Sequence, residues 1–308
     1  VKQMLVNPYA KVDFGVVRLA NFHTHAGTGP NTCGAYEIPE VLKLYKDTGY
    51  SILTISNHNL YTDPAPYKDC GMCLVPGYEY TTSTVHLVCV GTGKVEMSSH
   101  QAAVDSAIAD GGFAIMCHPN WFNGKEILPR EYLYNVRRYL GMEILNGGCE
   151  EIRPPYNGTP SSGLATDVYD EVLSSGRLIW AFGSDDFHRW WHFARAFNIY
   201  FCDLTPESVI AASKAGEFYV STGLLLTSLD YDGKFIRVQA RHIRNYRDIL
   251  RFRFIGKNGH ILAEAEGESA TYMTHGDEDY VRIEAVGRTG AMLWTQPLYN
   301  PEKLKMDE

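Results

Sequence analysis

Short apolar runs recur through the first 220 residues, separated by stretches of helical periodicity, and this alternation limits the chain to an α/β fold with a largely parallel sheet. Runs at 17–23, 50–56, 85–90, 113–117, 141–145, 178–182 and 196–201 read as strands. Stretches at 38–47, 98–109, 129–139, 165–174 and 206–215 read as helices. The first has Pro39 in its opening turn and Gly49 just past its end. About seven strand–helix passes suit a barrel better than an open sheet.

After Gly216 the pattern changes. No helical stretch follows, only short runs separated by the turn pairs Asp232-Gly233, Asn258-Gly259 and Thr289-Gly290. A small antiparallel, sandwich-like β domain over 221–308 is expected behind a first domain over 1–220.

The apolar runs end in a shared way. His23 and His25 stand two apart on a strand, so both imidazoles face one side and can reach one ion. His58, Glu79, His118, Asp185 and His188 also fall at or just beyond run ends. In a parallel barrel those ends share one rim, where active sites are built. His86 opens its run, so it reaches that rim only if its strand runs against the others. One such histidine is ordinarily a solvated loop residue; the set together has the chemistry of a metal site.

Composition narrows the alternatives. A formal charge of −8 argues against a broad nucleic-acid-binding face, and the basic–apolar alternation near Arg251-Phe-Arg-Phe254 suits a strand with one wet face. No apolar run approaches the ~20 residues that span a bilayer. Seven cysteines cannot all pair, and Cys70-Gly-Met-Cys73 lacks the second pair of a zinc knuckle. Cys89, Cys117 and Cys202 read as small core residues. The chain opens on Val1 rather than Met, the pattern of a trimmed chain, so a cytoplasmic location and export after loss of a signal peptide both stand.

Phe22-His-Thr-His25, Ile55-Ser-Asn-His58, Gly77-Tyr-Glu79, His86, Cys117-His-Pro119 and Gly183-Ser-Asp-Asp-Phe-His188 resemble, in this order, the motifs of the polymerase-and-histidinol-phosphatase (PHP) superfamily of metal-dependent phosphoesterases. The similarity covers roughly 8–220 and is nearest to bacterial stand-alone members. It implies a distorted seven-stranded (β/α) barrel. It implies one ion held by His23, His25, Glu79 and Asp185, and a second held by Glu79, His86 and His118. A third ion in that family takes an acidic residue after the first motif, the His of an Asp-His pair and the last His. Here His58 and His188 match, but the pair is Asn57-His58 and no Asp lies between Ala26 and Gly34, where Cys33 or Asn31 stands instead. Two divalent ions (zinc, iron or manganese) are therefore expected, and a third only weakly held or not at all.

The implied reaction is hydrolysis of a small phosphate monoester or diester, such as a nucleotide or sugar phosphate, by a metal-bridging hydroxide. His188 is the candidate for leaving-group protonation, and Arg189 and Asn57 for substrate contact. Trp190 and Trp191 are candidate pocket walls, Glu143 reads as structural, and Arg153 and Tyr156 lie in a Pro-rich stretch able to cover the site. The alternatives are a metal hydrolase of a non-phosphate bond and a metal-retaining binding protein without turnover.

Overall fold

A computed structural model describes residues 4–82, 85–122, 128–149 and 163–308; Arg153 and Tyr156 lie outside them. The first part of the chain carries strands β1 (Arg18–Asn21), β2 (Tyr50–Leu53), β3 (Cys73–Leu74), β4 (Gly77–Thr81), β5 (His86–Val90), β6 (Phe113–Met116), β7 (Gly141–Asn146), β8 (Trp180–Ser184), β9 (Phe197–Tyr200) and β10 (Phe218–Ser221). Helices α1 (Ile38–Asp47), α2 (His100–Ala109), α3 (Glu131–Asn135), α4 (Thr166–Ser174) and α5 (Pro206–Ala215) lie between them. Helix α1 covers the expected residues and buries Val41, Leu42 and Tyr45 on one face. The helix expected at 129–139 shrinks to a single turn and a half, because Val136 is already extended and Arg138 sits at φ 68°.

The expected (β/α) barrel is not what forms. Among the described residues the strands make separate sheets and no closed barrel. A barrel of that kind needs every strand parallel and a crossover between each pair. Here only β1/β2, β2/β3, β6/β7 and β7/β8 are parallel. Strands β4 and β5 pair antiparallel, as do β5 and β6. Strand β9 runs antiparallel to both β1 and β10. One sheet has the order β4-β5-β6-β7-β8.

The larger sheet runs through residue 220. Beyond β10 come β11 (Leu224–Tyr231), β12 (Phe235–His242), β13 (Leu250–Ile255), β14 (Ile261–Gly267), β15 (Ser269–Met273), β16 (Tyr280–Val286), β17 (Met292–Trp294) and β18 (Leu298–Tyr299). The ladder β14-β13-β16-β17 continues directly into β10-β9-β1-β2-β3, with β18 beside β16. Strands β11, β12 and β15 form a third, antiparallel sheet. Strand β12 buries every second residue, so Ile236, Val238 and Ala240 join Phe252, Phe254, Val281 and Ile283 in one core. Arg251 is exposed between Leu250 and the buried Phe252, as a strand with one wet face requires.

Two isolated parallel bridges cross the seam between the β4–β8 sheet and the larger one. Thr24 pairs with Phe187, through His25 N–H donating to Phe187 O at 2.9 Å and Phe187 N–H donating to His23 O at 3.3 Å. His58 pairs with Glu79, flanked by Asn59 N–H to Glu79 O at 2.7 Å and Glu79 N–H to Asn57 O at 3.1 Å. The ends of β1, β2, β4 and β8 are thereby brought together. Below the seam, edge-on contacts of Phe22 with Phe113, Phe182 and Tyr200 close the core.

Candidate metal centre

Side-chain alternation around the Thr24–Phe187 bridge places His23 and His25 on the same side as Asp186 and His188. The Oδ1 of Asp186 lies 3.2 Å from the Nε2 atoms of both His23 and His25. Glu79 arrives from β4, with Oε1 3.4 Å from His23 Nε2 and Oε2 3.4 Å from His25 Nε2. A tetrahedral ion with ligand atoms at about 2.0–2.1 Å sets those atoms roughly 3.3–3.4 Å apart. His23, His25 and Asp186 match that spacing through one atom each, and Glu79 approaches it with a different oxygen toward each histidine.

Across Glu79 lies a second group. His86 Nδ1 is 2.8 Å from Glu79 Oε1, and His118 Nε2 is 3.9 Å from the same oxygen. The hairpin β4–β5 sets Thr81 opposite His86, so this strand runs against its neighbour and its first residue reaches the rim, as that histidine requires. Residue His118 holds φ 27° and Asp186 φ 46°, left-handed values that ordinary side chains rarely adopt; local contacts hold both. For His118, the backbone N–H donates to Glu143 Oε2 at 2.8 Å.

Glu143 is fully buried and does more than pack. Its Oε1 sits 2.7 Å from His23 Nδ1 and accepts from Ser184 Oγ at 2.6 Å, while Asn146 donates to Oε2 at 2.8 Å. Donation from His23 Nδ1–H to this carboxylate turns the ring's other lone pair inward. That Nε2, the Nε2 of His25 and Oδ1 of Asp186 are all buried without a hydrogen-bond partner, while Oε2 of Glu79 faces His58 Nδ1 at 2.5 Å. A ring lone pair facing a carboxylate oxygen is repelled; a proton on the ring or a cation shared by both reverses the sign. Burial disfavours ionisation of Glu79 and Asp186, yet the surrounding histidines hold both well below the usual carboxylate range. These buried His, Glu and Cys clusters can hold a metal ion.

Two expected residues have other roles. Asp185 turns away from the histidines and accepts from the backbone N–H groups of Ala194, Arg195 and Ala196 and from Tyr45 Oη, at 2.8–3.2 Å. Its neighbour Asp186 stands at the cluster in its place. Burial raises the Asp185 carboxyl to about 6 even against those hydrogen bonds. Asn57 is buried and spans the backbone of Ala26, accepting from its N–H at 3.1 Å and donating to its O at 2.9 Å. It ties two loops together rather than facing a substrate.

His58 and His188 sit at the mouth of the site, where a cleft of about 360 Å³ is lined by Cys33, Glu79, His86, His118, Trp121, Asp186, Arg189 and Trp191 among others. Arg189 is exposed, its guanidinium 5.7 Å over the Trp191 ring; Trp190 and Trp191 are both about half exposed. Cys33, whose role was open, comes to 3.4 Å from His25 Nδ1. Burial pushes its thiol up, but hydrogen bonds from His188, His25 and His58 bring it down to about 4. All seven cysteines are free. Among the described residues, no helix is long and apolar enough to cross a membrane.

Burial favours neutral imidazole at His58, yet Cys33 and Glu79 raise it to about 10; carboxylates likewise raise His23 well above its ordinary value against burial. His58 thus carries a proton in ion-free protein at pH 7 and His23 is shifted the same way, whereas ligation needs a lone pair. Loading a divalent ion at pH 7 is expected to release protons, and affinity should climb with pH toward about 10. Titration with zinc in weakly buffered indicator dye measures this. Binding with no proton release would refute the assignment of these rings.

No protein-family model matches the chain, and no curated protein matches its sequence.

Proposed function

We propose that this chain is a PHP-type metal-dependent phosphoesterase that hydrolyses a small phosphate monoester or diester, such as a nucleotide or sugar phosphate. The observation that carries the reading is the convergence of three buried, unpartnered ligand atoms from His23, His25 and Asp186 beside the buried carboxylate of Glu79. The order of motifs along the chain and the cation at the cleft mouth support phosphate as the group acted on.

His23, His25, Asp186 and Glu79 would hold one ion, and Glu79 with His86 and His118 a second. Divalent ions there would neutralise charge on the phosphoryl oxygens and activate a water as nucleophile; zinc, iron and manganese all suit mixed His and carboxylate donors. The protein's own groups do the rest. Glu79 faces His25 with Oε2 and both His23 and His86 with Oε1, so one side chain ties the two ligand groups together. Glu143 locks His23 in one tautomer and orientation. Arg189 presents a planar cation at the entrance for a phosphate oxygen. Trp121 and Trp191 wall the cleft and limit water beside the reacting group. The Nδ1–H of His188 is donated to Asp186 O at 2.9 Å, so only its Nε2 is left for proton transfer or ligation.

Elemental analysis paired with a panel of nucleoside monophosphates, sugar phosphates and nitrophenyl diesters tests this reading. Bound divalent ions and phosphoester turnover abolished by chelator are expected. Asp186→Asn should lower turnover by roughly a hundredfold with loss of ions, while Asp185→Asn keeps them. Ion-replete protein that turns over no phosphoester would sink the proposal, in favour of a non-phosphate bond or a binding role.

A further inference from the structure

A cavity of about 630 Å³, larger than the metal cleft, shares no lining residue with it. It lies where β1, β2 and β9 face the segment after β12 and the turn between β16 and β17. A volume of this size accommodates a small molecule. Leu19, Phe197, Ile243 and Ala291 give it apolar walls. Arg244 supplies the one formal charge among its described lining residues, none of which is acidic. The Arg244 side chain is exposed and makes no ion pair among the described residues.

Two polar groups at this cavity lack protein partners. Tyr50 is 4% exposed, and its Oη is buried with no hydrogen bond. A buried hydroxyl left unpaired is costly unless something else completes it. Burial raises its pKa, so it remains a donor at pH 7. His242 is also buried, and its Nδ1 accepts from Arg244 N–H at 3.1 Å, which puts the ring proton on Nε2. That Nε2 lies beside Gly223, where a side-chain Cβ would stand 3.7 Å away, so the glycine leaves the N–H uncovered. The ring stacks on Tyr246 with centroids 3.9 Å apart, and a hydrogen bond of 3.1 Å fastens Tyr246 Oη to Thr289 Oγ1. Together they make a flat, prearranged platform.

We propose that this cavity binds a small organic anion with a flat apolar body, of the aromatic carboxylate class. Arg244 pairs with the carboxylate, and the unpartnered donors of His242 and Tyr50 supply hydrogen bonds. The apolar walls and the Tyr246 ring cover the body of the ligand. One cation balances one negative charge, which favours a carboxylate over a phosphate dianion. An amine would meet the charge of Arg244 with no acid to offset it. The site uses no metal ion and does not rest on phosphoester turnover.

Isothermal titration calorimetry on the full chain in chelator tests this, with naphthoate as probe and naphthylmethanol and naphthylmethylamine as neutral and cationic controls. Chelator keeps ions out of the metal centre, so neither outcome bears on hydrolysis. One naphthoate per chain should bind, about tenfold or more tighter than the alcohol, and the amine should give no heat. Arg244→Gln, a surface change, should weaken naphthoate by roughly ten- to a hundredfold. Tyr50→Phe should keep the wild-type melting temperature, since no protein hydrogen bond is lost, and weaken the probe several-fold. Ala291→Phe should fill the cavity and abolish binding. No naphthoate binding to wild type, equal affinity for the alcohol, or affinity that Arg244→Gln leaves unchanged would each overturn the site.

Discussion

Replacing Glu79 with Gln should abolish the proposed hydrolysis, cutting kcat by about three orders of magnitude, a loss of roughly 4 kcal/mol of transition-state stabilisation. The side chain is fully buried, and its oxygens lie 2.8–3.9 Å from His23, His25, His86 and His118. An amide keeps the shape but removes the charge and offers one oxygen where two are needed. Both ligand groups depend on this residue, so metal content measured by elemental analysis should fall with the rate. Far-ultraviolet circular dichroism should stay that of the wild type, separating loss of ions from loss of fold. A Glu79→Gln protein with full metal content and a rate within tenfold of wild type would defeat the proposed centre.

The second large effect concerns stability, away from the candidate metal centre. Asp170 in α4 accepts two hydrogen bonds from Arg282 of β16, at 2.8 and 2.6 Å, and a third from Tyr280 Oη at 3.0 Å. Asp170 and Arg282 are 4% and 3% exposed, so neither charge has water to fall back on. Truncation of one partner in such a pair costs about 3–5 kcal/mol, because the other is left charged in a low dielectric. Asp170→Ala should therefore lower the melting temperature by on the order of 10 °C. The double variant Asp170→Leu with Arg282→Met should recover most of that loss, since apolar groups of similar volume avoid the desolvation cost. Denaturant melts compare the two. A single variant within 1 kcal/mol of wild type would contradict the assigned role.

The same residues show why some of this was readable in the chain and some was not. The His23–His25 pair was legible because spacing by two puts side chains on one face of extended backbone, a local rule. The rule applies equally to Asp186-Phe187-His188, where it selects Asp186 over Asp185; the second carboxylate pair member was the informative one. Asn57 stood beside a histidine of the cluster, but an amide both accepts and donates, and the Ala26 backbone takes up both functions. The contacts of Glu143 join β7 to His23 and His118, distant in sequence, and no local pattern announces them.

The fold followed a similar divide. Apolar periodicity located most strands to within a few residues, and α1 in full. Strand direction is not written in that periodicity, so the β4–β5 hairpin and antiparallel β9 were absorbed into a parallel count. The pairing of β10 with β17 joins residues more than 70 positions apart, which makes one sheet of two compositionally different regions.

The seam crossed by the Thr24–Phe187 and His58–Glu79 bridges also sets an order of events. Donors at positions 23, 79, 118 and 186 are contributed by segments that no short piece of the chain contains together. Closing loops of that length carries an entropic cost that must be met before the ligands can meet. A nascent or proteolysed fragment thus holds only scattered histidines with the weak affinity of an open peptide. Tight capture of an ion would begin only once the segments following β1 and β8 have met at the Thr24–Phe187 bridge, so an ion would arrive at a finished architecture instead of nucleating it.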